Sequence, residues 1–255
     1  MRYAEPIASA AATIPSRPHS LEVLTASVPT LAIADAFAPP SHESTQNLSH
    51  TIAGQRLSAQ EVRRRLWHMT PGLLPIALWF IPHTDPWGWI LWGVVATIIL
   101  ATVTTMILRF HKIARPQEAE GYSAVAAYAG VVLATLLLLP GREEVGMMTL
   151  AILAFGDGSA TLFGLSFGGY SLPWNRRKSW TGLLAFIGMG ALLGGVMLWG
   201  ESRPGIALPL AITIGGLASL AAAFVESWPS KRNDNLRVGL TAATVGTCLH
   251  LMLVP

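Results

Sequence analysis

An aspartate lies inside an apolar stretch of the chain, AILAFGDGSATLFGLSF, which begins at Ala151. A carboxylate near the centre of a membrane span costs roughly 2.5–3.5 kcal/mol on insertion scales, so it usually faces a protein interior or a wet cavity. Gly156 and Gly158 leave room on both sides of Asp157, and small residues follow it at helical spacing. We therefore predict a ligand site at Asp157, with a structural carboxylate bonded inside a helix bundle as the alternative.

Three consecutive cations come soon after that stretch, in the segment GGYSLPWNRRKSWTG. Arg176, Arg177 and Lys178 directly follow Asn175. A basic triplet after an apolar span most often marks only the side of the membrane on which the loop lies. Here a carboxylate precedes the triplet, and a magnesium–nucleotide site needs a hard oxygen ligand for the metal and cations for the phosphates. The two features together favour such a site.

Two carboxylates bracket a third polar segment, ESWPSKRNDNL, with Glu226 at its start and Asp234, followed by Asn235, near its end. Such groups at a membrane edge are as readily explained by solvation alone. Because the loop is short, we expect these side chains to converge beside Asp157. Carboxylate oxygens at one depth hold Mg²⁺, which keeps water and substrate phosphates in its remaining positions.

A fourth polar segment, RRRLWHMTPG, precedes the others. Arg64, Arg65 and His68 share one face of a helix there, because residues three and four positions apart are neighbours on a helix surface. Glu118 and Glu120 form a further acidic pair, which we interpret as solvated.

Several common chemistries lack their motifs in this chain. It has no G-x-x-x-x-G-K-[ST] phosphate loop, no H-E-x-x-H motif, no paired C-x-x-C and no G-x-S-x-G turn. The single cysteine, Cys248, excludes an internal disulfide and a cysteine metal cluster.

The elements that must position these groups are membrane helices. Hydrophobic residues make up 52% of the chain and charged residues 12%, whereas a soluble domain carries about 25% charged residues. The mean hydropathy is +0.49. We predict an all-α, polytopic transmembrane bundle of seven spans, with six as the smaller alternative. The predicted spans are 66–82, 88–109, 122–140, 145–168, 182–199, 206–226 and 237–254.

The basic residues predict how the bundle lies in the membrane. With the N-terminus inside, thirteen of the 17 Lys and Arg residues fall in the inner loops, and only Arg142 and Arg203 fall in the outer ones. Such an asymmetry predicts a cytoplasmic N-terminus and a cytoplasmic active site. Residues 1–60, rich in Ala, Ser and Pro, are predicted to be a disordered cytoplasmic tail, and 61–255 the membrane domain.

The polar segments, in this order, resemble the CTP-dependent lipid-alcohol kinases: dolichol kinase, phytol kinase and the CTP-type diacylglycerol kinase. The stretch GDGSATLFGLSFGGYSLPWNRRKSWTG is similar to the family's central signature, in which Asp-Gly leads through spaced glycines to Lys-Ser and Gly. RRRLWHMTPG and ESWPSKRNDNL resemble its opening and closing motifs. The resemblance covers residues 61 to 240. Thr181 stands where many members have Glu, and Asn233 stands where a second acid is common.

This resemblance implies an enzyme that moves a phosphoryl group from CTP to the hydroxyl of a long-chain alcohol, with Mg²⁺ as cofactor. It implies Asp157, Lys178, Asp234 and His68 as catalytic residues, and Asp157, Asp234 and Glu226 as metal ligands. It assigns the remaining site residues to nucleotide and substrate binding: Gly158, Gly164, Gly168, Asn175, Arg177, Ser179, Gly182, Asn235 and Arg65. The nucleotide is expected in a cavity between spans four, six and seven, and either His68 or a carboxylate is expected to accept the hydroxyl proton. The expected partners are CTP, the alcohol and the bilayer, with no nucleic acid.

Two other functions stay open at this point. The central signature is also similar to that of phosphatidate cytidylyltransferase, but the His-Gly-Gly stretch and the paired aspartates of that enzyme have no counterpart here. A small transporter with Asp157 as a proton or ion relay is the third hypothesis. It requires polar groups along the whole depth of the bundle, whereas the sequence places them at one side.

Overall fold

The computed structural model describes residues 51–52, 54, 57–84, 86–113, 121–202 and 205–254, without side chains at 51–52, 109–113 and 121–122. Over these ranges the chain forms nine α-helices and three short strands. The helices are α1 (Ala59–Met69), α2 (Leu74–Leu78), α3 (Trp89–Ile113), α4 (Gly121–Leu138), α5 (Glu143–Ala151), α6 (Asp157–Phe167), α7 (Trp180–Glu201), α8 (Leu208–Ser227) and α9 (Asp234–Leu253). The strands are β1 (Thr51–Ile52), β2 (Gly169–Leu172) and β3 (Asn175–Ser179). The predicted tail lies almost wholly outside the described residues.

The predicted class, a transmembrane helical bundle, is confirmed. Five helical segments are long and apolar enough to cross a bilayer, and a shorter apolar helix covers Ser123–Leu138. The five are Trp89–Leu108, Glu143–Phe167, Trp180–Glu201, Leu208–Ser227 and Asp234–Leu253. Together these six elements match the spans predicted from residue 88 onward. Large apolar side chains are exposed on them, as expected of helices that face lipid.

The continuous span predicted at 66–82 is wrong. The segment consists of the end of α1, a 3-10 turn (Thr70–Leu73) and the five-residue α2, because Pro71 and Pro75 interrupt the helical hydrogen bonding. The broken segment nevertheless runs along the bundle. Gly54, before α1, lies against the backbone of Ser166, and His83, after α2, bonds Glu201.

The segment Glu143–Phe167 forms the centre of the bundle. Every residue of α5 is buried, and so is every residue of the π-helical turn Ile152–Gly156 that joins α5 to α6. Helix α7 packs along this segment and against α8. Close backbone approach between α7 and α8 depends on Gly195 and Gly215, since a Cβ atom on Gly195 would lie 2.6 Å from the Ile212 Cα.

A β-hairpin, which the sequence analysis treated as a loop, fills the connection between α6 and α7. Gly168 and Gly169 have φ angles of 62° and 110°, a backbone region that favours glycine, and they turn the chain out of α6. Strand β2 pairs antiparallel with β3, and β1 pairs with the other edge of β2. We call this side of the bundle the hairpin end and the side where α7 ends and α8 begins the opposite end.

Candidate active site

Asp157 is the first residue of α6 and directly follows the π-helical turn. Such turns are rare and often occur at functional sites. The carboxylate points into the protein and is 18% exposed. Its Oδ2 atom accepts a hydrogen bond from Arg65 Nη1 at 3.2 Å and lies 3.3 Å from His68 Nε2. No described residue bonds Oδ1, so one side of the carboxylate is available to a ligand.

The first helix supplies both partners of Asp157 Oδ2, Arg65 and His68. Ser58 caps α1 by accepting a bond from the backbone N–H of Glu61, and Glu61 then accepts bonds from Arg64 at 3.0 Å and Arg65 at 3.2 Å. Arg65 is therefore held between two carboxylates, one on its own helix and one on α6. The helical face predicted for Arg64, Arg65 and His68 thus borders the predicted ligand site. We call Glu61, Arg65, His68 and Asp157 the Asp157 cluster.

The surroundings of His68 determine which ring nitrogen carries its proton. Nε2 lies 3.2 Å from the Leu153 carbonyl oxygen and 3.3 Å from Asp157 Oδ2. Both partners only accept hydrogen bonds, so Nε2 holds the hydrogen and Nδ1 presents a lone pair in the neutral ring. The ring also meets Tyr128 edge-on, with the ring centroids 5.0 Å apart. The Asp157 carboxylate therefore orients Nε2 of His68, and Nδ1 is the nitrogen that can accept a proton.

Lys178 extends from the hairpin toward the same region. Its Nζ lies 2.5 Å from Glu226 Oε1 and also donates to the backbone carbonyl of Glu226. Both charges interact electrostatically with Asp157. Asn175 ties the hairpin to the end of α8 by donating to the Ser227 carbonyl at 3.0 Å. The structure therefore brings Asp157, Lys178 and Glu226 to one region, as predicted.

The three predicted metal ligands, Asp157, Asp234 and Glu226, do not form one group. Asp234 is 55% exposed and pairs with Arg237 at 3.2 Å, and Glu226 is engaged by Lys178. Within the described ranges, no three His, Cys, Asp or Glu side chains form a group that can hold a metal ion. Mg²⁺ is often bound through only one or two carboxylates together with phosphates and water, and the open side of Asp157 fits that arrangement. The magnesium site stays a prediction.

Several predicted binding residues have packing roles in the structure. Ser179 caps α7 by accepting from the Gly182 N–H, and Gly182 lies against the Ala160 carbonyl of α6. Gly164 faces Ser179, and Gly158 faces Met69. Gly168 makes the turn into the hairpin. The side chain of Arg177 is exposed, and Asn235 donates to the Ala124 carbonyl at 2.9 Å. Their roles toward a nucleotide stay predictions.

An apolar groove opens beside the Asp157 cluster. It encloses about 1240 Å³ of empty space, counting the part open to its surroundings. It lies between the α1–α2 segment, α3, α4 and α5, with Asn235 of α9 among its lining residues, and so differs from the cavity between the fourth, sixth and seventh spans in which the nucleotide is expected. Arg65, His68 and Tyr128 contribute polar groups to it, and most of the remaining lining is aliphatic.

A second polar cluster, which was not predicted from the sequence, lies at the opposite end. Glu144 Oε1 lies 2.8 Å from His250 Nε2, and Arg142 donates to His250 Nδ1 at 2.8 Å. Glu143 accepts the backbone N–H of Trp87 at 3.2 Å. We call Arg142, Glu143, Glu144 and His250 the opposite-end cluster. The statement that polar groups gather at only one side of the bundle is therefore wrong. The adjacent acids Glu143 and Glu144, at the start of a span, were the sequence signal that could have indicated this cluster.

Comparisons with known proteins support the resemblance. A "Probable phytol kinase, chloroplastic" from Triticum aestivum is 28% identical over 211 residues, which are 78% of this chain and 70% of that protein. "Phytol kinase 1, chloroplastic" from Arabidopsis thaliana is 25% identical over 210 residues, 74% of this chain and 67% of its own length. "Phytol kinase" from Synechocystis is 25% identical over 195 residues, 74% of this chain and 79% of that protein.

The chain is related to the phytol kinases. The resemblance to the lipid-alcohol kinase family is thereby confirmed, whereas these comparisons lend no support to the similarity with phosphatidate cytidylyltransferase. No protein-family model and no solved structure matches the chain.

Proposed function

We propose that this protein is a membrane-embedded kinase that transfers the γ-phosphoryl group of CTP to the hydroxyl of a long-chain lipid alcohol. The named activity of its relatives supports the reaction class. The observation that carries the proposal is Asp157, a carboxylate inside an apolar segment, held on Oδ2 by Arg65 and His68 and open on Oδ1. A further cation, Lys178, and an apolar groove lie beside it.

The nucleotide's phosphates bind between the hairpin and Asp157. Lys178 binds them first, with help from the exposed Arg177, and gives up part of its contact with Glu226 when it does so. Mg²⁺, bound at Asp157 with phosphate oxygens and water, would neutralise phosphate charge. Phosphoryl transfer depends mainly on such positioning and charge neutralisation, so few other groups are needed.

His68 accepts the proton of the alcohol in this proposal. As the alcohol oxygen bonds to the γ-phosphorus, the bond from that phosphorus to the CDP oxygen breaks, and the hydroxyl proton passes to His68 Nδ1. Asp157 Oδ2, 3.3 Å from Nε2, stabilises the imidazolium that results. The neutral ring has its lone pair on Nδ1, which supports His68 over the carboxylates as the base.

Labelled CTP tests the reaction directly. Purified protein in detergent or lipid nanodiscs is given either γ-labelled or α-labelled CTP, together with a long-chain alcohol or phosphatidic acid. A kinase transfers the γ-label to the alcohol and releases CDP. Label from the α position in the lipid fraction, with release of pyrophosphate, would instead establish a cytidylyltransferase. A tenfold excess of unlabelled ATP should leave γ-transfer from CTP almost unchanged, and strong dilution of the label would contradict the choice of CTP.

The hairpin end faces the cytoplasm in this proposal, because the basic loops lie there. A chain with Cys248→Ser and Arg176→Cys should react with a membrane-impermeant maleimide only from the cytoplasmic side. Pro140→Cys in the same background, in the turn between α4 and α5, should react only from the other side. The reverse pattern would overturn the orientation.

A further inference from the structure

One polar atom that borders the groove has no partner within the part of the chain that the structure describes. The hydroxyl of Tyr128 is buried and makes no hydrogen bond. Leaving a buried hydroxyl unpaired is unfavourable, so nearly all such groups in proteins are paired. Tyr128 lines the groove and its ring contacts His68. A ligand hydroxyl that enters the groove at this point would supply the missing bond.

The lining of the groove changes from polar to aliphatic along the bundle. Its polar lining residues, Arg65, His68 and Tyr128 among them, lie toward the hairpin end, and the wall beyond Tyr128 on α4 is formed by Val132 and Leu136. Met147 and Leu150 of the buried α5 face the same space. A molecule with a single polar head and a long hydrocarbon chain matches this order of surfaces.

The side formed by α3 connects the groove with the bilayer. Only 11% of the apolar window of this helix is buried, and Ile98, which lines the groove, is 40% exposed. A lipid can therefore enter sideways between α3 and its neighbours without crossing the polar hairpin. The nucleotide, which is water-soluble, approaches from the hairpin.

We infer that this groove is the alcohol site, and that the hydrocarbon chain lies along Val132 and Leu136 with its hydroxyl between Tyr128 and His68. The inference rests on the proposed function. Tyr128 donates to the alcohol oxygen and leaves that oxygen's own hydrogen directed to His68 Nδ1. The two substrates then reach the Asp157 cluster from different sides. The long-chain alcohol is recognised by the length of its apolar chain together with one hydroxyl.

Filling the groove tests the placement of the chain. Ala129 lines the groove one residue beyond Tyr128, whereas Ala126 on the same helix is exposed. Ala129→Phe should raise KM for a 20-carbon isoprenoid alcohol about tenfold and KM for a five-carbon alcohol less than threefold, with KM for CTP unchanged. The matched variant Ala126→Phe should change none of these values more than twofold. Equal effects of both variants, or an unchanged KM for the long alcohol in Ala129→Phe, would overturn the assignment.

Tyr128→Phe tests the hydroxyl contact without changing the shape of the groove. The loss of one hydrogen bond should raise KM for the alcohol about three- to tenfold while KM for CTP stays the same. A variant that behaves as the parent protein would remove Tyr128 from the site.

A binding experiment keeps this inference separate from the proposed function. A 20-carbon alcohol that carries a diazirine near the chain end is photo-crosslinked to the protein in nanodiscs without nucleotide, and the labelled peptides are identified by mass spectrometry. Label on α4 and α5 that excess unlabelled alcohol displaces supports the groove even if no phosphate is transferred. Label only on lipid-facing positions, unaffected by competitor, would refute the alcohol site even in an active kinase.

Discussion

The central segment Glu143–Phe167 carries charge near both ends, and the two clusters differ in what surrounds them. In the opposite-end cluster, Glu143 is 0% exposed and Glu144 6%, and Glu144 lies against a histidine that is itself bonded by Arg142. In the Asp157 cluster the carboxylate is 18% exposed, has one open oxygen and borders the groove. The opposite-end cluster is buried within the bundle, whereas the Asp157 cluster borders the groove.

This difference shows that a buried charge alone does not identify a site. Burying charges is costly at either end, and each cluster offsets that cost with an arginine: Arg65 bonds Asp157, and Arg142 bonds the histidine that faces Glu144. The Asp157 cluster adds a nearby lysine, Lys178, room for a substrate, and the Tyr128 hydroxyl, which has no partner among the described residues. We therefore expect substitutions in the Asp157 cluster to impair catalysis and substitutions in the opposite-end cluster to impair stability.

The largest expected effect is that of Asp157→Asn. The amide keeps the shape of the side chain but removes the charge that, in the proposed mechanism, binds Mg²⁺ and stabilises the His68 imidazolium, so the rate of transfer should fall at least 100-fold. The measurement is γ-label transfer by purified protein, with the melting temperature as the check on folding. Glu144→Gln is the matched change at the opposite end and should keep activity per folded molecule within threefold. Full activity in Asp157→Asn would refute the role of this residue.

Lys178→Met is expected to have the next largest effect. The variant loses the charge that we propose binds the phosphates, and we expect kcat/KM for CTP to fall about 10- to 50-fold, while KM for the alcohol changes little. Arg176 lies two positions earlier on the same strand with an exposed side chain, so Arg176→Met should lower kcat/KM less than threefold. Similar losses in both variants would mean that the hairpin attracts the nucleotide only by its overall charge.

The third prediction concerns stability. Glu144→Gln removes the buried negative charge that lies beside His250 and compensates the charge of Arg142 behind that ring, and it should lower the free energy of unfolding by about 2–3 kcal/mol. Its neighbour offers the control, because the amide oxygen in Glu143→Gln still accepts the Trp87 N–H and should change stability by less than about 1 kcal/mol. Thermal melts in one detergent compare the two. If Glu144→Gln instead lost activity while its melting temperature stayed unchanged, the contrast between the clusters would fail.

Most of the helices could be located from the sequence, and Asp157 could be singled out, because both leave strong local signals. A charge inside an apolar span, as at Asp157, is rare enough to be noticed, and hydropathy alone places most of the spans. The break at Pro71 and Pro75 carried a signal as well, but the apolar composition around it favoured a continuous span. The pairing of Arg65 with Asp157 left no signal in the sequence, because it joins residues that are 92 positions apart.

The groove was not predicted, for a related reason. Its walls are ordinary aliphatic side chains, and periodicity does not reveal which helices leave space between them. Tyr128 stands in an Ala-rich helix and gives no sign in the sequence that its hydroxyl is unpaired. The π-helical turn before Asp157 could not be predicted either, because its residues are typical of any buried helix.

The smallest expected effect tests how firmly the hairpin is held beside Asp157. A Cβ atom on Gly182 would lie 2.8 Å from the Ala160 carbonyl oxygen, whereas one on Gly188 of the same helix would meet nothing within 4 Å. Gly182→Ala must therefore push α7 and β3 away from α6, and we expect a loss of about 1–2 kcal/mol in stability together with a two- to fivefold higher KM for CTP. Gly188→Ala should leave KM unchanged and stabilise the helix by up to about 1 kcal/mol. A normal KM in a destabilised Gly182→Ala protein would show that Lys178 reaches the nucleotide without close packing of α7 on α6.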